Sequence, residues 1–291
     1  MQKRFSNFVM LAEIVLLSFA FITGISVGAD NQVQPKWGGT LVVVLNDEIG
    51  AVNPALVSST TKGHVTGQIF STLTVDEMDP ITGEWTPTPS LAESWEVSSD
   101  SLTITYHLVQ NATWHDGVPF TSADVKFSFM DVIMKNHPAA KVTWRKVTQV
   151  DAPDDYTVVF HLSEPDPDFL INHSTAYGAI IPKHKYTHLN GTVWSGAEIK
   201  SVAGDPAFAI GTGPFMMQEW VKGDHITLVR NPNYFRAPLP YLDKIVFKVI
   251  PDPSMRVLSM EAGEVDFYPF EVTSTDVVKL NSSTIAVTDQ G

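Results

Sequence analysis

The stretch Trp114-His115-Asp116-Gly117-Val118-Pro119-Phe120-Thr121 comes nearest, by residue type, to a reaction centre. A histidine beside an aspartate could form an acid–base pair or part of a metal site. Adjacent residues seldom converge on one ligand, however, and Asp116-Gly117 is a turn pair with Pro119 set ahead of a helix start. The spacing therefore predicts a turn leading into a helix. Of the nine histidines, His184 and His188 have the i,i+4 spacing of a zinc pair, but Pro182 precedes them and no Glu lies between. They read as two residues of a surface loop. Gly211-Thr212-Gly213-Pro214 has the glycines of a phosphate loop but not the Lys and helix that must follow, and Pro214 has no N–H to donate. It reads as a tight chain crossing. No nucleophile elbow, P-loop or dinucleotide fingerprint is present. Glu261, Glu264 and Asp266 keep open a glycan hydrolase, which needs two carboxylates converging on one sugar bond.

Composition narrows the classes further. The chain has 291 residues, 19 Lys+Arg against 32 Asp+Glu and a net charge of −13, which excludes the basic surface of a nucleic-acid binder. The apolar fraction of 44% suffices for packed cores. With no cysteine there is no disulfide, thiolate metal site, Cys nucleophile or lipid-modified N-terminal Cys. Lys3 and Arg4, the apolar run Phe8 to Val27 and the small residues Val27-Gly28-Ala29 form a secretory signal over residues 1–29. The run also approaches the length that spans a bilayer, so an uncleaved N-terminal anchor is the alternative. Either reading places the chain outside the cytoplasm. There the Asn-x-Ser/Thr triplets at Asn111, Asn172, Asn190 and Asn281 are glycan-acceptor patterns, with chance as the plain alternative.

The elements that must position these residues follow from periodicity. Leu41 to Leu45 is short, β-branched and unalternating, the pattern of a strand buried on both faces. Val65, Ile69, Phe70 and Leu73 place a helix over about 62–72. From Asp79 to Trp95 the chain is rich in Pro, Thr and Gly, with Trp85 and Trp95 as anchors. Leu102 to Leu108 alternates as a half-buried strand. Thr121 and Asp124 form a capping box opening a helix with Phe127, Met130 and Met134 along one face and Val125, Phe129 and Val132 beside it, ending before Pro138. Further strands are predicted over 147–150, 156–162, 215–221, 225–230, 241–250 and 265–268. Short helices are predicted over 166–172, 253–262 and 274–280, the second with Met255, Leu258 and Met260 available for burial.

The order of these motifs carries more than any one of them. Gly39-Thr40-Leu41, Leu91-Ala92-Glu93-Ser94-Trp95, Trp114 to Gly117, Phe120 to Val125, Gly211 to Phe215, Arg230-Asn231-Pro232-Asn233-Tyr234 and Gly263 to Asp266 follow one another along about residues 37–280. This series resembles the extracellular solute-binding proteins of family 5, the dipeptide, oligopeptide and nickel receptors of ABC importers. The resemblance implies an α/β fold of the two-lobed periplasmic-binding-protein kind (class II, peptide-binding type) with an inserted accessory domain. Lobe I would use residues 36–77 and 188–265, the accessory domain 78–187, and an incomplete lobe II would begin at 266–291, so that the chain reads as C-terminally truncated. It also implies a non-catalytic, periplasmic or cell-surface monomer that needs no cofactor, binds small peptides between its lobes and passes them to ABC permease subunits in the membrane. A nickel or metal-chelate receptor and an oligosaccharide receptor are the alternatives within the fold. The ligand-contacting residues implied are Ser58, Ser59, Thr60, Thr61 and Lys62, then Asn136 and His137, then Gly211, Thr212 and Gly213.

Overall fold

The computed structural model describes residues 35–269 apart from 57, 58, 80, 138 and 175. The signal segment, Ser58 and the expected helix over 274–280 lie outside the described residues. Among the described residues the strands form two four-stranded sheets and a two-stranded ribbon.

The first sheet contains β1 (Thr40–Leu45), which runs parallel to β10 (Lys244–Val249). It continues through β9 (His225–Arg230) and β8 (Phe215–Val221) in antiparallel pairing, in the order β1-β10-β9-β8. β1 stands at the end of this order; Val43, Val44 and Leu45 are buried, while Leu41 and Val42 are half-buried, so the expected burial holds for the second half of the strand. The β8–β9 hairpin turns on Lys222-Gly223-Asp224, where Gly223 takes a φ of +77°. On the outer side of β1, Phe267 forms a parallel bridge to Val43.

In the second sheet, β4 (Ala92–Val97), β5 (Thr103–Leu108), β7 (Thr157–Leu162) and β6 (Val147–Asp154) lie in that order, all antiparallel. Ile104, Tyr106 and Leu108 on β5 and Val158, Phe160 and Leu162 on β7 alternate inward. Against this face packs α2, which starts at Ser122–Phe127, passes through a π-helical segment Ser128–Ile133 and ends in Met134–Asn136. The π segment adds a residue to the turn. The face that enters the core carries Val125, Phe127, Phe129 and Val132, and beyond the π segment's start Ile133 joins it while Met130 and Met134 are only half-buried.

Two further expectations are corrected. The Pro-rich stretch folds as a ribbon, β2 (Thr74–Met78) paired with β3 (Trp85–Pro89), and Trp85 is 54% exposed rather than an anchor. Pro87 and Pro89 donate nothing to a ladder, which an edge strand tolerates. On the helix Pro253–Glu261, Arg256, Val257 and Ser259 are buried, while Met255 and Leu258 face outward. Arg256 donates to the carbonyls of Ile250 and Pro251, which turns its side of the helix inward.

Candidate ligand-contacting site

Helix α1 (Thr60–Ile69) carries the principal candidates at its first turn. Ser59 is its N-cap, in extended backbone, and its hydroxyl accepts the Lys62 N–H at 3.2 Å. Thr61 Oγ1 donates to Asn46 Oδ1 at 2.7 Å, which holds this turn beside the carboxyl end of β1. In open α/β sheets that end is where ligands gather. Ser59 and Thr60 are exposed and Thr61 is half-buried.

Lys62 behaves differently from its neighbours. It is 2% exposed, and its ammonium donates to the Asn53 carbonyl. Burial lowers its pKa to about 8. Asn53 is itself fully buried. Its side-chain Nδ2 donates to Tyr186 Oη at 3.1 Å and its side-chain Oδ1 accepts the Ala55 N–H. Burial pushes the Tyr186 phenol up. Asn53 and Tyr186 were missed from sequence, because an Asn-Pro pair reads as a surface loop.

His137 lies within the electrostatic reach of Lys62. Burial pulls its imidazole down, and the Lys62 charge adds to that. It is 2% exposed, its Nδ1 accepts the Ala140 N–H at 3.1 Å and its ring edge meets Tyr177 at 5.3 Å. Thus Lys62 and His137, 75 residues apart in the chain, lie within electrostatic range of each other. Asn136 has a structural task. Its amide donates to the Val132 and Asp131 carbonyls, and its side chain lies so close to Gly196 that a Cβ there would sit 2.2 Å from Oδ1.

Gly211, Thr212 and Gly213 are not part of this cluster. They pack on the opposite end of α1, where a Cβ on Gly211 would lie 1.8 Å from the Ile69 carbonyl and one on Gly213 2.6 Å from that of Gln68. Ile69 is about 10 Å further along the helix axis than Lys62, at 1.5 Å per residue. Thr212 is 1% exposed. The partner of this crossing is the His115 motif: His115 Nε2 donates to Gly213 O at 3.1 Å, while Nδ1 accepts the Gly211 N–H at 3.2 Å. That arrangement fixes a neutral imidazole, which burial holds at about 4. The Asp116-Gly117 turn and the capping box are present as expected, with Asp124 accepting from Thr121 N, Lys183 N and Trp114 Nε1. His184 and His188 face separate acids, Asp116 at 2.8 Å and Glu198 at 3.3 Å. No group of three metal-binding side chains gathers among the described residues.

The chemistry available at the first turn of α1 is hydrogen bonding from exposed hydroxyl and backbone groups above a buried cation. The described hydrogen bonds there join no hydroxyl to a general base, since Ser59 Oγ is occupied by Lys62 N and Thr61 Oγ1 by Asn46.

Known proteins are similar to this chain in sequence and fold. Oligopeptide-binding protein AppA of Bacillus subtilis is 31% identical over 245 residues, covering 84% of this chain and 42% of its own. Its structure in complex with a nonapeptide superposes with a TM-score of 0.74 at 28% identity, over 86% of this chain and 47% of that one. The periplasmic binding protein DppA of Helicobacter pylori, in complex with the peptide STSA, gives a TM-score of 0.72 at 28% identity, over 86% of this chain and 50% of that one. NikZ of Campylobacter jejuni, in complex with Ni(L-His), gives 0.65 at 28% identity, over 82% and 45%. The chain spans about half the length of the relatives it matches. Among the described residues no helix is long and apolar enough to cross a membrane. The family model described as Bacterial extracellular solute-binding proteins, family 5 Middle, matches residues 86–290, and the chain belongs to that family.

Proposed function

We propose that this chain is part of an extracytoplasmic receptor that binds short peptides and presents them to an ABC importer. The observation that carries the reading is the shared fold with AppA and DppA, both solved with peptides, over 86% of the chain. The first turn of α1 supports it. Exposed hydroxyls and backbone groups can pair with a peptide main chain whatever its side chains, which suits a broad ligand range. No bond is made or broken in this reading: ligand binding shifts an open–closed population, and the membrane partner responds to the closed form. In this proposal residues 36–77 and 188–265 form one lobe, 78–187 an inserted domain and 266–291 the opening of a second lobe. The monomer binds one small peptide. Ser59, Thr60 and Thr61 contact it, while Lys62 and His137 hold their turn from beneath.

Thermal unfolding of the full chain against tri- to nonapeptides, nickel–histidine and short oligosaccharides tests the reading. Peptides raise the midpoint in a concentration-dependent way, as any ligand of the native state must. A rise with nickel–histidine or a saccharide and none with peptides refutes the peptide assignment. No rise with any of the three refutes binding by this chain.

A further inference from the structure

We infer that Asn190 is an acceptor for N-linked glycan transfer, and that the fold selects it over the other described Asn-x-Ser/Thr triplets. Asn190-Gly191-Thr192 forms the tip of a short hairpin closed by the Thr187–Val193 bridge, with His188 N donating to Thr192 O at 2.8 Å and Gly191 N to His188 O at 2.9 Å. All three residues of the triplet are exposed, and Leu189 beside them stands wholly in solvent. Gly191 has a φ of +82°, which the tight turn requires and which glycine adopts freely. Asn190 Oδ1 accepts twice from Thr192, from its N–H at 3.0 Å and from its hydroxyl at 2.7 Å. The carbonyl side of the amide is thereby turned onto the threonine, and Nδ2 makes no hydrogen bond. The nitrogen that must react is the free one.

The other triplets differ in this respect. Asn111 Nδ2 donates to the Phe235 carbonyl at 3.1 Å, and the following Ala112 is buried. Asn172 sits inside the helix Phe169–Ser174, where its N–H donates to the Asp168 carbonyl at 2.9 Å and its backbone is held in a helical turn rather than at a hairpin tip. Asn281 lies outside the described residues. Chemically, Nδ2 forms a bond to the anomeric carbon of a sugar carried on a lipid pyrophosphate. The carbon–oxygen bond to the pyrophosphate breaks, the lipid pyrophosphate leaves with the electron pair, and the amide loses one proton to a base of the transferase. The transferase acts in trans on the outer side of the membrane, the side that the extracellular family places this chain on.

The test presents the folded full chain, carrying Asn281→Gln and an appended flexible Asn-Gly-Thr tag, to membranes that hold an Asn-x-Ser/Thr transferase and its lipid-linked oligosaccharide. Membranes are chosen in which the tag is modified. Glycopeptide mass spectrometry then shows Asn190 modified along with the tag, and Asn111 and Asn172 bare. Asn190→Asp keeps the Thr192 acceptor but removes the nitrogen, and loses the whole increment at this site. Thr192→Ala loses it too, and Thr192→Ser retains it. A modified tag with a bare Asn190 overturns the inference, as does equal modification of Asn111 or Asn172.

Discussion

His173 makes the stability of this fold depend on pH in a way that can be calculated. The imidazole is fully buried in a cage of Tyr106, Phe129, Trp144, Phe160 and Phe169, with ring centroids 4.5–5.3 Å away. Burial pulls its pKa from 6.5 down to about 3. The unfolded chain therefore takes up a proton below pH 6.5 that the native chain refuses until about pH 3. Stability contributed by the neutral His173 is fully present above pH 6.5 and is lost as pH falls through that window. At 1.36 kcal/mol per pH unit, the loss at pH 5 is about 2 kcal/mol, rising to about 4 kcal/mol at pH 3, where the native imidazole begins to protonate as well. The perturbation is His173→Gln, which is uncharged at every pH and can still bond Tyr106 Oη, now 3.2 Å from His173 Nδ1. Urea unfolding followed by circular dichroism at pH 7.5, 6.5, 5.5 and 5.0 gives both stabilities. The variant starts lower, because the cage is less well filled. It loses about 2 kcal/mol less than the native chain between pH 7.5 and 5.0. Parallel pH profiles for the two chains would refute the argument, since they would mean that His173 protonates alike in the folded and unfolded states.

Gly211→Ala brings a Cβ to 1.8 Å from the Ile69 carbonyl and shifts the crossing that His115 clasps, costing about 3 kcal/mol or more by urea unfolding. Gly67→Ala, on the same helix with nothing within 4 Å, is the control and stabilises by about 0.5–1 kcal/mol. Lys62→Met tests the buried ammonium: with a native pKa of about 8 against 10.5, the native chain gains stability as pH rises from 8 towards 10.5, by about 2 kcal/mol at pH 9.5, and the variant does not. Asp124→Ala leaves Thr121 N, Lys183 N and the Trp114 indole without their acceptor and lowers stability by about 3 kcal/mol, with Asn at this position recovering part of the loss.

Much of the fold was legible because its strands keep a strict period. Leu102 to Leu108 and Tyr156 to Leu162 alternate, and both form antiparallel strands with one face inward. The β2–β3 ribbon was not legible, since two prolines and a run of Thr carry no period and only the pairing makes them strands. On α2 Phe127, Val125, Phe129 and Val132 were placed inward correctly, and only Met130 and Met134 were misjudged, because they lie in and after the π segment, which a period of 3.6 cannot anticipate. The outward turn of Met255 and Leu258 followed from Arg256 finding two carbonyls, a partnership invisible in the helix's own pattern. Of the site, the first turn of α1 came from resemblance alone. Its depth, with Lys62 buried and Ser59 and Thr60 exposed, did not.

By itself the sequence determined the strands that keep a period, such as Thr103–Leu108 and Thr157–Leu162, the turn at Asp116-Gly117, the capped helix start and the motif order that names the family. These rest on contacts between residues a few positions apart, so local spacing encodes them. Tertiary structure alone decided which polar groups leave water. Lys62 meets the Asn53 carbonyl and acts electrostatically on His137, His115 closes on Gly211 and Gly213 almost a hundred residues away, and His173 enters a cage drawn from its own helix and four other segments. A buried polar group survives only where a partner is brought to it. That meeting depends on how distant segments pack, which no local pattern records.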